Sequence, residues 1–228
     1  MPKLLAIDSS ASTTRVALSS DDQMHEYSTL EPRRAAQQLL PLIQQALQEA
    51  DIQLTELDAI VVATGPGSFT GLRIGIGAAQ GLGMANSTPL IGISSLALLA
   101  QAAARQTGGK AFLSSLTARD DEVYFGAYCK AGQSVKLQGS ESVLMIFDHA
   151  PPVDLPSGLD WIGVGPGWQH RNELENRFGI KLDVCLVEIE VSMRDLLDCG
   201  LEKLAHGETL IAEELLPNYV KEKLDYRS

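Results

Sequence analysis

Ala59-Ile60-Val61-Val62-Ala63-Thr64-Gly65-Pro66-Gly67-Ser68-Phe69-Thr70-Gly71-Leu72-Arg73-Ile74-Gly75-Ile76-Gly77-Ala78-Ala79-Gln80-Gly81-Leu82-Gly83-Met84 is the stretch on which the fold turns. It predicts a buried strand over 59–64, a tight glycine turn and a helix over 70–84. The helix is unusual, because glycine stands at 71, 75, 77, 81 and 83. Each glycine inside a helix costs about 1 kcal/mol against alanine. At 100° per residue, Gly71, Gly75, Ala78 and Leu82 share one face, and Leu72, Ile76, Ala79 and Gly83 the next. Only Arg73 and Gln80 are polar, so the helix is expected to be buried on more than one side. Small residues at i, i+4 let backbones approach closely. The helix is therefore expected to pack on its own sheet and on a second helix, which another chain could supply.

Outward from this stretch, the chain alternates short strands and helices. Strands are expected at Lys3–Ile7, Arg15–Ser20 and Met24–Leu30, an antiparallel meander. Pro32 then opens a helix from Arg33 to about Ala50, in which Leu39, Leu40, Ile43, Ala46 and Leu47 recur at helical spacing. Pro41 inside it predicts a bend or a late start of the regular part. Strand Pro89–Ile93 and an alanine-rich helix over Ser94–Arg105 follow, with a boundary at Thr107-Gly108-Gly109. The order then recurs: strands at Ala111–Thr117, Glu122–Tyr128, Val135–Met145 and Trp161–Val164, a helix at Gln169–Phe178, strand Asp183–Val187 and helix Val191–His206. "VVATGPGSF" (61–69) and "WIGVGPGWQ" (161–169) repeat strand, Gly-Pro-Gly turn and helix. A duplicated α/β unit of βββαβαβα order is thus expected, divided at 1–108 and 109–228. The second lobe is reduced, since Pro151, Pro152 and Pro156 interrupt the place of its first helix.

Composition limits the function. The 228 residues carry a net charge of −11, most of it beyond residue 109. Nucleic-acid grip needs an excess of Lys and Arg, so nucleic acid would be reached only through a partner. Cys129, Cys185 and Cys199 are odd in number and show no CxxC spacing, which favours free thiols in a reducing compartment. No run of 18 apolar residues exists, and the apolar stretch before Asp8 is too short for a signal peptide. A cytoplasmic protein without a membrane span is expected. His25, His149, His170 and His206 show no metal-binding helical spacing.

Two places have the residue types of a site. Asp8-Ser9-Ser10 at the end of the first strand could hold Mg²⁺ water and nucleotide phosphate, or could be an Asx turn that only closes the hairpin. Gly65-Pro66-Gly67-Ser68 at a helix start could cradle an anion. It matches neither the GxxxxGK[ST] nor the GxGxxG spacing, and its glycines equally serve close strand–helix packing. Asp8, Ser9, Gly65, Gly67 and Ser68 are the candidate nucleotide contacts. Arg73, on an otherwise apolar helix, is either a snorkelling surface residue or half of an interfacial ion pair.

Three segments resemble the bacterial TsaB (YeaZ) family of the actin-like ATPase superfamily. They are Leu5-Ala6-Ile7-Asp8-Ser9-Ser10, Pro32-Arg33…Leu39-Leu40-Pro41, and Thr64-Gly65-Pro66-Gly67-Ser68-Phe69-Thr70-Gly71-Leu72-Arg73-Ile74-Gly75. Thr117-Ala118-Arg119…Glu122-Val123-Tyr124, Gly163…Gly167-Trp168 and Pro217…Tyr219 extend the likeness over nearly the whole chain. The resemblance implies duplicated actin-like, ribonuclease H-like units. It also implies a non-catalytic role in making threonylcarbamoyladenosine (t6A) next to the tRNA anticodon. In that family the protein supports its catalytic paralogue TsaD, with the ATPase TsaE, and also homodimerises. The chain alone is then expected to have no activity and no bound cofactor, with ATP or ADP entering only in the complex. The implied docking surface comprises Arg33, Leu40, Gly71, Arg73, Ile74, Gly75, Ala78 and Leu82. On this reading Gly75→Arg or Ala78→Arg abolishes heterodimer formation and spares the fold. Arg33-Arg34-Ala35-Ala36 stands where many relatives have Arg-x-His-Thr. The competing reading is an autonomous phosphotransferase or metallopeptidase of the same superfamily.

Overall fold

The two halves of the chain build the same sheet. A computed structural model describes residues 2–21, 23–29, 35–119, 121–147 and 155–220. Strands β1 (Leu4–Asp8), β2 (Arg15–Ser20), β3 (Gln23–Ser28), β4 (Ala59–Gly65) and β5 (Leu90–Ser94) form one five-stranded sheet in the order β3-β2-β1-β4-β5. Strands β6 (Ala111–Thr117), β7 (Glu122–Ala131), β8 (Ser134–Met145), β9 (Trp161–Val164) and β10 (Val184–Leu186) form another in the order β8-β7-β6-β9-β10. In each sheet an antiparallel meander continues as two parallel strands. The correspondence extends to the glycine turns: Gly65 and Gly165 close β4 and β9 with φ of +96° and +100°, a conformation that a side chain would strain. The repeated tripeptide and the expected βββαβαβα order therefore mark a true structural duplication.

The helices are α1 (Ala35–Glu49), α2 (Phe69–Asn86), α3 (Ser95–Thr107), α4 (Arg171–Phe178, after a 3₁₀ turn at Pro166–His170) and α5 (Met193–Ala205). Helix α1 runs through Pro41 as one element. Arg33 and its neighbours lie outside the described residues, as does 148–154, where prolines were expected to interrupt the first helix of the second lobe.

By contact the chain forms two compact units, Met1–Ser95 with Ser192–Asn218, and the described parts of Leu96–Val191 with Tyr219–Ser228. Each expected lobe, 1–108 and 109–228, holds every strand of one sheet, but the units regroup two helices. Helix α3 buries Leu96, Leu99, Ala100 and Ala103 with Phe112, Tyr128 and Val164 of the second sheet. Helix α5 lies on the first sheet, where a Cβ at Gly200 would stand 2.5 Å from Val61 Cγ2. Its Lys203 Nζ donates to the Gly92 carbonyl at 3.0 Å. Each sheet is thus covered by the helix that follows the other sheet's last strand in the chain.

The core of the first unit is aliphatic: Leu5, Ile7, Val16, Leu18, Ile60 and Val62 of the sheet meet Leu39 and Ile43 of α1 and Leu72 and Ile76 of α2. The second unit holds the aromatic core, with Phe125 and Phe178 stacked at 4.6 Å and Trp168 donating its indole N–H to the Leu113 carbonyl at 2.6 Å.

Glu175, 3% exposed, is the charged centre of this second core. It accepts from Arg171 Nε at 2.7 Å, from Lys181 Nζ at 2.9 Å and from the Leu182 N–H at 3.1 Å. These donors, Arg171 foremost, hold its carboxyl at about 2, against an ordinary 4.5. A carboxyl lowered on folding stabilises above its unfolded value and loses that contribution as pH falls. Since Arg171 and Lys181 are 43% and 81% exposed, solvent screening reduces the contribution to about 1–2 kcal/mol. Stability is expected to fall between pH 4.5 and pH 2. Glu175→Gln should remove that share of the slope in urea titrations across this window; an unchanged slope would refute the assignment.

Candidate docking face and the closed Asp8 turn

Strand β1 ends at Asp8, which the β1–β2 hairpin sets directly opposite Arg15. The Asp8 side chain is 3% exposed and fully engaged. Oδ1 accepts from the Ser10 backbone N–H at 3.0 Å and from Ser10 Oγ at 2.6 Å, and Oδ2 accepts from Arg15 Nη2 at 2.7 Å. This is the Asx turn that closes the hairpin, reinforced by an ion pair. Sequence reading missed Arg15, although a cation opening the return strand after a short polar loop is the signal that could have revealed it.

The glycine turn leans on the same hairpin. The Ser68 N–H donates to the Ser10 carbonyl at 2.8 Å, and Ser9 Oγ donates to the Gly71 carbonyl at 2.7 Å. Ser68 caps α2 by accepting from the Gly71 N–H at 3.3 Å. A Cβ on Gly67 would stand 2.5 Å from the Ser10 carbonyl oxygen. The five candidate nucleotide contacts, Asp8, Ser9, Gly65, Gly67 and Ser68, are thus brought together, but the polar atoms of the two turns face one another. A Mg²⁺ ion with its waters does not fit at Asp8, because both carboxylate oxygens already have partners.

The same contacts sort the glycines of α2. A Cβ on Gly71 would lie 2.0 Å from the Ser9 carbonyl oxygen, one on Gly75 2.3 Å from Ser9 Oγ, and one on Gly83 3.0 Å from Leu90. Gly77 and Gly81 face open space. Gly71 and Gly75, expected on the docking face, therefore serve the fold itself: they let the helix lie against the Ser9 turn. Gly75→Arg would disrupt that packing, so it cannot test docking as expected from the sequence.

What α2 presents outward is the stripe Arg73, Gly77 and Gly81, with Phe69 57% and Met84 65% exposed at its ends. Arg73 is exposed and lies over the Phe69 ring, 3.9 Å from its centroid, a cation–π contact within the helix. Ile74, Ala78 and Leu82 are half-buried and pack on the core. Leu40 of α1, 56% exposed, and Leu82 line one groove of about 480 Å³ together with Ile43, Leu47 and Leu54. Of the expected docking residues, Leu40 and Leu82 share this groove, Ile74 and Ala78 pack on the core, and Arg73 lies on the exposed stripe.

A second feature missed from the sequence is the strap after α5. Leu210 exchanges backbone hydrogen bonds with Leu90, the Leu215 carbonyl accepts from Gln80 Nε2 at 2.9 Å, and the Asn218 N–H donates to the Thr64 carbonyl at 2.8 Å. It runs along the edge of β5 and ties α2 through Gln80. No helix among the described residues is long and apolar enough to cross a membrane.

Known proteins match this architecture closely. The family described as TsaD, tRNA N6-adenosine threonylcarbamoyltransferase, matches residues 15–186. The tRNA threonylcarbamoyladenosine biosynthesis protein TsaB of Escherichia coli K12 is 34% identical over 229 residues, covering 99% of this chain and 97% of that protein. The protein of the same description from Haemophilus influenzae is 38% identical over 122 residues, 54% of this chain and 52% of that one. Among solved structures, YeaZ from Pseudomonas aeruginosa superposes with a TM-score of 0.82 at 36% identity, covering 96% of this chain and 100% of YeaZ. A P. aeruginosa protein described as similar to peptidase YEAZ superposes with a TM-score of 0.84 at 37% identity, covering 97% and 100%. With its duplicated five-stranded sheets, glycine turns and near full-length likeness, the chain belongs to the TsaB (YeaZ) family and has its actin-like fold.

Proposed function

We propose that this chain takes part in threonylcarbamoylation of tRNA adenosine next to the anticodon as a non-catalytic subunit. It docks on a TsaD-type catalytic paralogue, in an assembly joined by a TsaE-type ATPase, and meets tRNA only through that assembly. It also pairs with a second copy of itself through the same face. The observation that carries this reading is the near full-length identity to a protein of t6A biosynthesis. The outer side of α1 and α2 supports the docking role: Leu40, Phe69 and Met84 are exposed, and Gly77 and Gly81 leave room for another backbone. Exposed apolar side chains beside bare helix backbone are features that a partner helix covers. The closed Asp8 turn favours a subunit that holds no nucleotide of its own, with ATP or ADP bound in the assembled complex.

Reconstitution tests the role. With purified TsaD-type, TsaE-type and donor-forming proteins, ATP, threonine and unmodified tRNA, t6A formation is expected only when this chain is added. Full t6A formation in its absence would sink the proposal.

A further inference from the structure

We infer that Arg15 is a built-in counter-ion that closes the Asp8 turn of this chain against divalent cations and their nucleotide complexes. The inference does not depend on the role in tRNA modification. A carboxylate at a strand end, flanked by hydroxyls, has the donor types for Mg²⁺ and a phosphate. Here Arg15 Nη2 lies 2.7 Å from Oδ2, on the carboxylate oxygen that Ser10 leaves open. Mg²⁺ keeps several waters in its octahedral shell and needs an accessible carboxylate oxygen. Asp8 is 3% exposed, so neither the water shell nor a second cation beside the guanidinium has room. The charge of Arg15 is already matched by Asp8, so the pair offers little net attraction to a phosphate.

The hydroxyls are committed as well. Ser9 Oγ donates to the Gly71 carbonyl, and Ser10 Oγ to Asp8 itself. The hairpin fixes this geometry, because residues 8 and 15 are register partners at the mouth of the β1–β2 pair. Removing the guanidinium leaves a buried anion without its cation, and such an anion either takes up a proton or a new cation. Arg15→Gln removes the charge and, being two bonds shorter, vacates the space that the guanidinium fills beside Oδ2. It should convert the turn into a site for a small divalent cation.

The test uses the full chain, Mn²⁺ alone and Mn²⁺·ATP, read by titration of the free-ion resonance and by thermal melts. The unsubstituted chain is expected to show no saturable binding that depends on Asp8. R15Q should bind Mn²⁺ at least tenfold more tightly, and about 10 mM Mn²⁺ should raise its melting temperature by about 4 °C or more. The doubly substituted D8N/R15Q chain should lose both effects. Binding to the unsubstituted chain that weakens tenfold in D8N would overturn the inference, because the turn would then be open. So would a folded R15Q with no gain in Mn²⁺ affinity. An R15Q chain that stays unfolded in about 10 mM Mn²⁺ would also refute it, since the cation should take the place of the guanidinium.

Discussion

Gly71→Ala is expected to lower the stability of the chain by about 3 kcal/mol or more, whereas Gly77→Ala, six residues on in the same helix, is expected to raise it by about 0.5–1 kcal/mol. The sign is set by what a methyl group would meet. At Gly71 it meets the Ser9 carbonyl oxygen at 2.0 Å, a backbone atom held by strand β1, and Ser9 Oγ is itself bonded to the Gly71 carbonyl. Neither side can rotate away, so helix and hairpin must separate. At Gly77 no atom of the described residues lies within 4 Å of the methyl position, and alanine only removes the conformational cost of glycine in a helix. Urea unfolding of the isolated chain measures both. Equal effects of the two substitutions would show that the Ser9 turn and α2 are not packed as described.

The second large effect concerns assembly. Gly77→Arg is expected to weaken binding to the TsaD-type partner, and pairing with a second copy, by about a hundredfold or more, while the monomer melts no lower than before. A long charged side chain on the outward stripe would meet the partner's backbone and bring an unpaired charge into the contact. The exposed groove residue Leu40 provides an independent check: Leu40→Glu should weaken the same complexes without disturbing the core, because its side chain is 56% exposed. Light scattering and analytical sizing of the mixed proteins read the outcome. Undiminished complexes with both substitutions would move the docking face elsewhere. Gly77→Ala adds a finer test, since a more stable monomer that binds less well is the result expected only where two backbones approach closely.

Much of the fold was legible because its signals are local. The all-apolar run 59–64, the meander of short alternating strands and the two Gly-Pro-Gly turns predict the strand order, and the helix limits agree to within a few residues. The duplicated unit followed from the spacing of those turns. Helix partners were not legible. Nothing in the alanine-rich sequence of α3 says which sheet its Leu96 and Leu99 will meet, because any apolar sheet face of suitable width satisfies them. The strap over β5 was hidden for a similar reason: Leu210-Ile211-Ala212 and Leu215-Leu216 are short apolar runs with neither a helical nor a strand period.

The docking face shows where the sequence reading stopped. Arg73 and Gln80 mark one side of helix α2 and Gly77 lies beside them, but nothing in one dimension says that the opposite pair, Gly71 and Gly75, would be covered by this chain's own hairpin and not by a partner. The sequence by itself determined that this helix would be crowded, that a glycine turn would start it, and that the unit would be repeated. Only the tertiary structure decided which glycines face inward, because that depends on the Ser9 turn that β1 brings against α2. It likewise decided that Asp8 would be closed by Arg15, since the pairing arises from hairpin register and not from spacing along the chain.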